Sequence, residues 1–176
     1  GIVFVAMVSL AYSVDTIVTW SLPMVPISLW LNALVGGPLL AAITLYAAQW
    51  RALAGRFGLL LMTVPFIALA ANTVVYIVQG MQLGGVANSV VAAADLVPHY
   101  HTMLLAFALM CFAGCVLAAF TMHTVSREAV VHGGGELALS RRVLVRLLVA
   151  CLLVFAGIFV MRFAFYMMHL TVGLAV

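Results

Sequence analysis

The segment RRVLVRLLVACLLVFAGIFVMRFAFYMMH, from Arg141 to His169, is the clearest indication of the fold class of this protein. Three arginines lie among its first six residues, and a single charged residue, Arg162, interrupts the apolar run that follows. A helix needs about 20 apolar residues to cross roughly 30 Å of hydrocarbon. The segment therefore predicts a transmembrane helix over about residues 142 to 169.

The composition of the whole sequence agrees with a membrane location. Hydrophobic residues fill 68% of the 176 positions and charged residues only 6%, whereas about a quarter of the residues in soluble domains are charged. Mean hydropathy is +1.32. The net charge of +3 comes from basic residues that flank apolar segments and form no stripe of the kind that contacts nucleic acid. Soluble folds and nucleic-acid-binding modules are therefore excluded.

Four full spans and one shorter apolar segment follow from the hydropathy pattern. The first, of about 11 residues, is too short to cross a membrane and predicts a truncated helix. Full spans are predicted at about 23–50, 57–78, 100–123 and 142–169. The more polar stretch 79–98 predicts an interfacial helix, with an ordinary surface loop as the alternative. We expect an all-α integral membrane fold that forms one transmembrane domain over residues 1–176.

The arginines orient these spans in the membrane. Six of the seven fall in two connections, which hold Arg51, Arg56, Arg127, Arg141, Arg142 and Arg146. The positive-inside rule places both connections in the cytoplasm. By alternation, the C-terminus and the loops that carry Asp15 and Asp95 lie on the opposite side. Trp20 and Tyr100 are expected at the interface on that side, with His99 beside them, as candidates for partner or ion-pair contacts.

Arg162 is the one basic residue inside an apolar run. An arginine at the centre of a spanning helix costs about 2.5–3.5 kcal/mol on insertion scales, so a partner or a polar ligand is expected. Tyr166 and His169 follow at i+4 and i+7 on the same helical face. The three side chains could bind a quinone headgroup and pass protons to water. The alternative is an ion pair from Arg162 to Asp15 or Asp95, with Tyr166 and His169 as interfacial anchors.

The histidines give little support to a metal or haem site. His99, His101 and His169 share the outer side, but their spacing matches no metal-binding motif. A bis-histidine haem needs two histidines facing each other at similar depth. His123 falls near the inner side and His169 near the outer one, so we expect neither a metal nor a haem in this protein.

Five motifs carry a resemblance to a known family. They are DTIVTW (15–20), GGPLL (36–40), QG (79–80), SVVAAADLVPHY (89–100) and RFAFYMMHLTVGLAV (162–176). In this order they resemble the membrane-anchor subunit, also called the C subunit, of bacterial dimethyl sulfoxide reductases. That family has eight transmembrane helices with both termini in the periplasm. The present sequence then corresponds to the last four helices and part of the preceding one.

The resemblance implies a function in the inner membrane. Such an anchor oxidises menaquinol, passes electrons to an iron-sulfur subunit and holds a molybdenum catalytic subunit in the periplasm, so the molybdopterin and iron-sulfur clusters belong to the partners. Such anchors contain no haem. The matching positions are Asp15, Trp20, Pro98, Tyr100, Arg162, Tyr166 and His169. The family's quinol-site histidine and glutamate lie on upstream helices, so no position here inherits their roles. His99 departs from the family pattern, which has an acidic residue there.

A secondary transporter is the alternative function. In that case Arg162 and Asp15 would line a substrate path at a helix broken near Gly36 to Pro38. The sequence shows no convincing internal repeat, which weakens this hypothesis.

Overall fold

A computed structural model of the protein describes residues 1–12, 17, 19–87, 91–131 and 140–170. Four helices in this part are long and apolar enough to cross a membrane. They are α2 (Met24–Ala47), α3 (Arg56–Leu83), α5 (Tyr100–Val131) and α6 (Arg141–Met167). The shorter helices are α1 (Ile2–Tyr12), a 3₁₀ turn (Arg51–Ala54) and α4 (Ala93–Leu96). The prediction of an all-α membrane fold with four full spans and a shorter first helix is confirmed.

The stretch 79–98 differs from its prediction as an interfacial helix. Its first residues extend α3 to Leu83, and Gly84 and Gly85 follow in a turn. An isolated bridge then pairs Ala87 with Ala92, and only the single turn of α4 is helical beyond it. Two consecutive glycines favour the end of a helix because they are poor helix formers. Helical periodicity in the apolar residues was therefore misleading here.

Helices α5 and α6 form the most extensive helix pair in the bundle. Small residues permit their close approach, as is typical of helices packed within membranes. A Cβ atom added to Gly114 would lie 2.6 Å from the Ala150 carbonyl oxygen, and one added to Gly157 would lie 2.7 Å from Cys111 Sγ. The two backbones are therefore in near contact, and neither glycine leaves room for a side chain.

Apolar side chains cover the outside of the bundle as well as its interior. Phe107 and Val154 are fully buried, whereas Ile67, Leu152 and Phe159 are 70%, 70% and 68% exposed. Helices that are hydrophobic on every side belong in a lipid environment. The exposed apolar residues are thus the surface that faces the hydrocarbon.

The two arginine-bearing connections meet at one end of the bundle. Tyr46, near the end of α2, accepts a hydrogen bond from the backbone N–H of Ser140, just before α6, at 2.9 Å. At the same end, Gly58 of α3 lies against Met122 of α5. We call this the arginine end, and the opposite end, where Tyr12, Tyr100 and Met167 lie, the aromatic end. This arrangement agrees with the alternation predicted from the arginines.

Candidate functional site

A cluster of aromatic rings occupies the aromatic end of the bundle. The Trp20 ring stacks on Phe165 with centroids 5.1 Å apart, and it meets the His169 imidazole edge-on at 5.2 Å. The Tyr12 ring packs edge-on against Phe165 at 5.2 Å. We call Tyr12, Trp20, Phe165, Tyr166 and His169 the aromatic cluster. It joins the end of α1, the segment before α2 and the end of α6.

Hydrogen bonds hold these three segments together. The phenol oxygens of Tyr12 and Tyr166 are 2.5 Å apart. The buried hydroxyl of Thr19 donates to the backbone carbonyl of Met168 at 2.5 Å. In return, it accepts a hydrogen bond from the backbone N–H of Leu170 at 3.5 Å. The segment before α2 is therefore fastened to the end of α6, where the helix has unpaired carbonyl groups.

Arg162 lies three residues before Phe165 on α6, between the aromatic cluster and the middle of the bundle. Its guanidinium carbon is 5.4 Å from the centroid of the Phe165 ring, within the range of a cation–π contact. Its Nη2 atom is buried and has no hydrogen-bond partner among the residues that the structure describes. Arg162 therefore presents a buried donor next to the Phe165 ring of the aromatic cluster.

We call Arg162, Tyr166 and His169 the stripe. Arg162 and Tyr166 lie in the last turns of α6, whereas His169 lies just beyond the helix end at Met167, and each of the three has its own neighbour. Arg162 lies against Phe165, Tyr166 is paired with Tyr12, and His169 packs on Trp20. His169 is exposed, and Tyr166 is 51% exposed. The stripe thus runs from a half-buried arginine, whose Nη2 is buried, to groups that reach the surface of the bundle.

The other predicted contact residues that the structure describes lie around the same end. Asp15 lies outside the described residues, so an ion pair between Arg162 and Asp15 stays a prediction. Asp95 and His99 are exposed. The Tyr100 phenol points inward and donates to the Tyr76 carbonyl at 2.8 Å. Trp20 is half-buried, and its Nε1 has no partner among the described residues.

A second group of polar side chains, which was not predicted from the sequence, lies inside the bundle between α2 and α3. The Asn72 amide nitrogen donates to Asn32 Oδ1 at 2.8 Å, and the Asn32 amide nitrogen donates to the Tyr76 hydroxyl at 3.0 Å. Ser28 lies next to the same phenol. We call Ser28, Asn32, Asn72 and Tyr76 the polar cluster. Its sequence signal was the pair of lone asparagines inside otherwise apolar spans.

The chemistry available at the aromatic end is hydrogen bonding and proton transfer. A guanidinium donates only, whereas phenols and imidazoles both donate and accept. Across the described ranges, no group of three or more His, Cys, Asp or Glu side chains lies close enough to hold a metal ion. The arrangement suits a planar, polar organic molecule that could stack on aromatic rings.

Comparison with known proteins assigns the family. A family model described as DMSO reductase anchor subunit (DmsC) matches residues 1–168. The protein belongs to the dimethyl sulfoxide reductase anchor subunit family. It is 33% identical over 177 residues to the C subunit of the anaerobic dimethyl sulfoxide reductase of Escherichia coli (strain K12). It is 30% identical over 178 residues to YnfH, another anaerobic dimethyl sulfoxide reductase subunit of the same organism.

These matches cover the whole of this sequence and part of each relative. All of this sequence but only 56% of each Escherichia coli protein is aligned. No solved structure matches it significantly. Membership in the anchor subunit family confirms the resemblance found in the sequence and favours a reductase anchor over a transporter. Helix α2 also runs unbroken from Met24 to Ala47, whereas the transporter hypothesis required a break near Gly36.

Proposed function

We propose that this anchor segment takes part in menaquinol oxidation at its aromatic end. Electrons pass from there to an iron-sulfur subunit, and a molybdenum subunit reduces the terminal acceptor. The observation that carries the proposal is the Nη2 of Arg162, which is buried and has no partner among the described residues, next to the Phe165 ring of the aromatic cluster in which Tyr12 and Tyr166 are hydrogen-bonded. A buried donor without an acceptor is costly in a protein interior, so a ligand oxygen is the expected partner.

Each member of the stripe has a distinct task in this proposal. Arg162 donates a hydrogen bond to one quinol oxygen and orients the ring. Oxidation of the quinol to the quinone releases two electrons and two protons. The electrons go to the partner's iron-sulfur cluster. Tyr166 accepts and passes on protons, and the exposed imidazole of His169 delivers them to water.

The same proposal sets the location and the partners. The protein lies in the bacterial inner membrane with the arginine end in the cytoplasm and the C-terminus in the periplasm. The aromatic end then faces the side where the iron-sulfur and molybdenum subunits dock. Exposed Asp95 and His99 lie on this face and are candidates for contact with those subunits.

Purification of the full-length protein from its native membrane tests the proposal. We expect iron-sulfur and molybdenum subunits to copurify, and the complex to oxidise a menaquinol analogue when a terminal acceptor is added. An artificial donor that reduces the soluble subunits directly serves as the control for an intact electron path. A protein that is purified without such partners and instead carries solute across vesicle membranes would contradict the proposal. A Soret band in the purified anchor would show a bound haem and would contradict direct electron transfer from the quinol to the iron-sulfur subunit.

A further inference from the structure

An open groove runs between α3 and α5 on the outside of the bundle. It has a volume of about 520 Å³, and its lining includes Phe66, Ala70, Leu109 and Phe112. The Phe66 and Phe112 rings meet edge-on with their centroids 6.2 Å apart. Leu109 and Phe112 are 61% and 56% exposed, so the groove opens toward the hydrocarbon. We call this cavity the α3–α5 groove.

The walls of the α3–α5 groove are apolar in effect. Thr73 is the polar member of the lining, and its hydroxyl donates to the Leu69 carbonyl at 2.8 Å. Thr63, nearer the arginine end of α3, likewise donates to the Leu60 carbonyl at 2.7 Å. An unfilled groove forfeits van der Waals contacts along its walls. A flexible hydrocarbon chain is therefore the ligand that fits it.

Each of the two helices carries an exposed arginine on the face that leads to the groove. On α3, Arg56 precedes Ala70 by fourteen residues, about four helical turns. On α5, Arg127 follows Val116 by eleven residues, about three turns, and Val116 follows Leu109 by seven, about two turns. All five residues are exposed. Whole numbers of turns place each arginine in line with groove residues of its own helix.

Arg56 and Arg127 also lie at similar heights in the bundle. Gly58 of α3 packs against Met122 of α5, which fixes the register of the two antiparallel helices. Arg56 lies two residues and Arg127 five residues beyond this contact toward the arginine end. Their heights therefore differ by about 5 Å at a rise of 1.5 Å per residue. Packed helices lie about 8–10 Å apart, so the two long side chains can reach one anionic group.

Charge and length together indicate the ligand. The two arginine-bearing connections hold six arginines and two glutamates, Glu128 and Glu136, an excess of four positive charges. Guanidinium groups bind phosphate through paired hydrogen bonds. From Arg56 to Phe66, α3 rises about 15 Å, which is half of the roughly 30 Å hydrocarbon core of a bilayer. A lipid with its phosphate at the arginines therefore has its chain ends at the groove.

We propose that Arg56, Arg127 and the α3–α5 groove bind one anionic phospholipid. Its phosphate pairs with the two guanidinium groups, and one acyl chain follows the exposed apolar side chains and ends in the groove. A zwitterionic phospholipid has no net charge and gains less from two arginines, so the site selects for anionic lipid. This site does not depend on the proposed quinol oxidation, because lipid binding requires no turnover.

Lipid retention by the full-length complex tests the site. The complex is reconstituted in nanodiscs of phosphatidylethanolamine, with and without added phosphatidylglycerol, and native mass spectrometry counts the lipids that stay bound after release. We expect phosphatidylglycerol to be retained in preference, and an electron cryo-microscopy map to show elongated density from Arg56 and Arg127 into the groove. Equal retention of both lipids, or a protein helix in the groove, would contradict the proposal. Groove density that follows the quinone content instead would identify an isoprenoid tail and would also contradict it.

Arg56→Gln and Arg127→Gln test the headgroup contact. Each is expected to weaken retention of phosphatidylglycerol about 5-fold, and the double variant about 25-fold, the usual effect of arginines near an anionic surface. Arg141→Gln is the matched control, since Arg141 is exposed at the same end but begins α6. This control is expected to retain the lipid. An equal loss in the control and the double variant would show general surface attraction and would overturn the site.

Ala70→Trp tests the chain contact. Ala70 is exposed and lines the groove, so a large ring there fills the groove without entering the core. We expect this variant to lose the groove density. Ala71→Trp places the same ring on the next exposed residue, which does not line the groove, and should keep the density. Groove density that survives in Ala70→Trp would overturn the proposal. If the variants do not assemble, the two lipid compositions with the unsubstituted complex still decide the outcome.

Discussion

The phenol oxygens of Tyr12 and Tyr166 lie 2.5 Å apart and join α1 to α6 across 154 residues of sequence. Most of the large apolar side chains of α1 are exposed, with Ile2, Val3 and Phe4 each above 70%. The end of α1 is thus held to α6 by this bond and by the ring contacts of Tyr12. The pair fixes the end of α1 against the end of α6 at the aromatic end.

Removal of either phenol hydroxyl should weaken this contact between α1 and α6. We expect Tyr12→Phe and Tyr166→Phe each to lower the free energy of unfolding by about 0.5–1.5 kcal/mol, the usual contribution of one hydrogen bond. The double variant should be little worse than either single one, because both remove the same bond. Thermal unfolding of the solubilised complex measures all three. Fully additive losses would show that the two hydroxyls act independently.

The spans were predictable because an apolar run of about 20 residues has few alternatives. The helix ends were less predictable. Polarity rises at Gln79, which suggested an end near residue 78, yet Gln79 is 2% exposed and faces the bundle within α3. A polar residue marks a helix end only when it faces water. The helix ends a turn later, where Gly84 and Gly85 follow.

The candidate site was predictable only in part. The i+4 spacing of Arg162 and Tyr166 is a local relation, and both lie in the last turns of α6, whereas the helix ends at Met167 and His169 lies beyond it. The neighbours Tyr12 and Trp20 come from residues far away in sequence, and no local pattern pairs them with α6. The contact between Asn32 and Asn72 is also long-range. A lone asparagine in an apolar span signals that a partner is needed without identifying it.

Arg162 should matter for quinol oxidation more than for assembly. We expect Arg162→Leu in the full complex to slow menaquinol oxidation by about 10-fold to 100-fold, because a hydrogen bond from a charged group contributes about 1.5–3 kcal/mol. Activity with an artificial donor to the soluble subunits should persist. Steady-state rates with both donors measure the difference.

Arg146→Leu is the matched control for that experiment. Arg146 lies on the same helix near the arginine end and is exposed, so its loss should leave quinol oxidation close to the unsubstituted rate. Normal quinol kinetics in a correctly assembled Arg162→Leu complex would remove Arg162 from the site.

Gly114 should be intolerant of even a methyl group. An added Cβ would lie 2.6 Å from the Ala150 carbonyl oxygen and 2.7 Å from Val154 Cγ2, and the carbonyl cannot move without α6. We expect Gly114→Ala to lower stability by about 1–3 kcal/mol, as overpacking does in protein cores. Thermal unfolding of the solubilised complex checks this value.

Gly37 offers the matched control for this substitution. It also lies within a spanning helix, but nothing lies within 4 Å of an added Cβ. Gly37→Ala should therefore be neutral or stabilising by up to about 1 kcal/mol, because alanine is the better helix former. Equal losses for the two variants would show that close packing of α5 and α6 is not the cause.

Single cysteines should report which end of the bundle faces the periplasm. His99→Cys is exposed at the aromatic end, and Ala52→Cys is exposed at the arginine end. The native Cys111, Cys115 and Cys151 are buried, so they add little background labelling. We expect a membrane-impermeant maleimide to label position 99 in intact spheroplasts and position 52 only after permeabilisation, because arginine-rich connections remain in the cytoplasm. The unsubstituted protein supplies the background. The reverse labelling pattern would place the aromatic end in the cytoplasm, and electron transfer from it to a periplasmic partner would then be impossible.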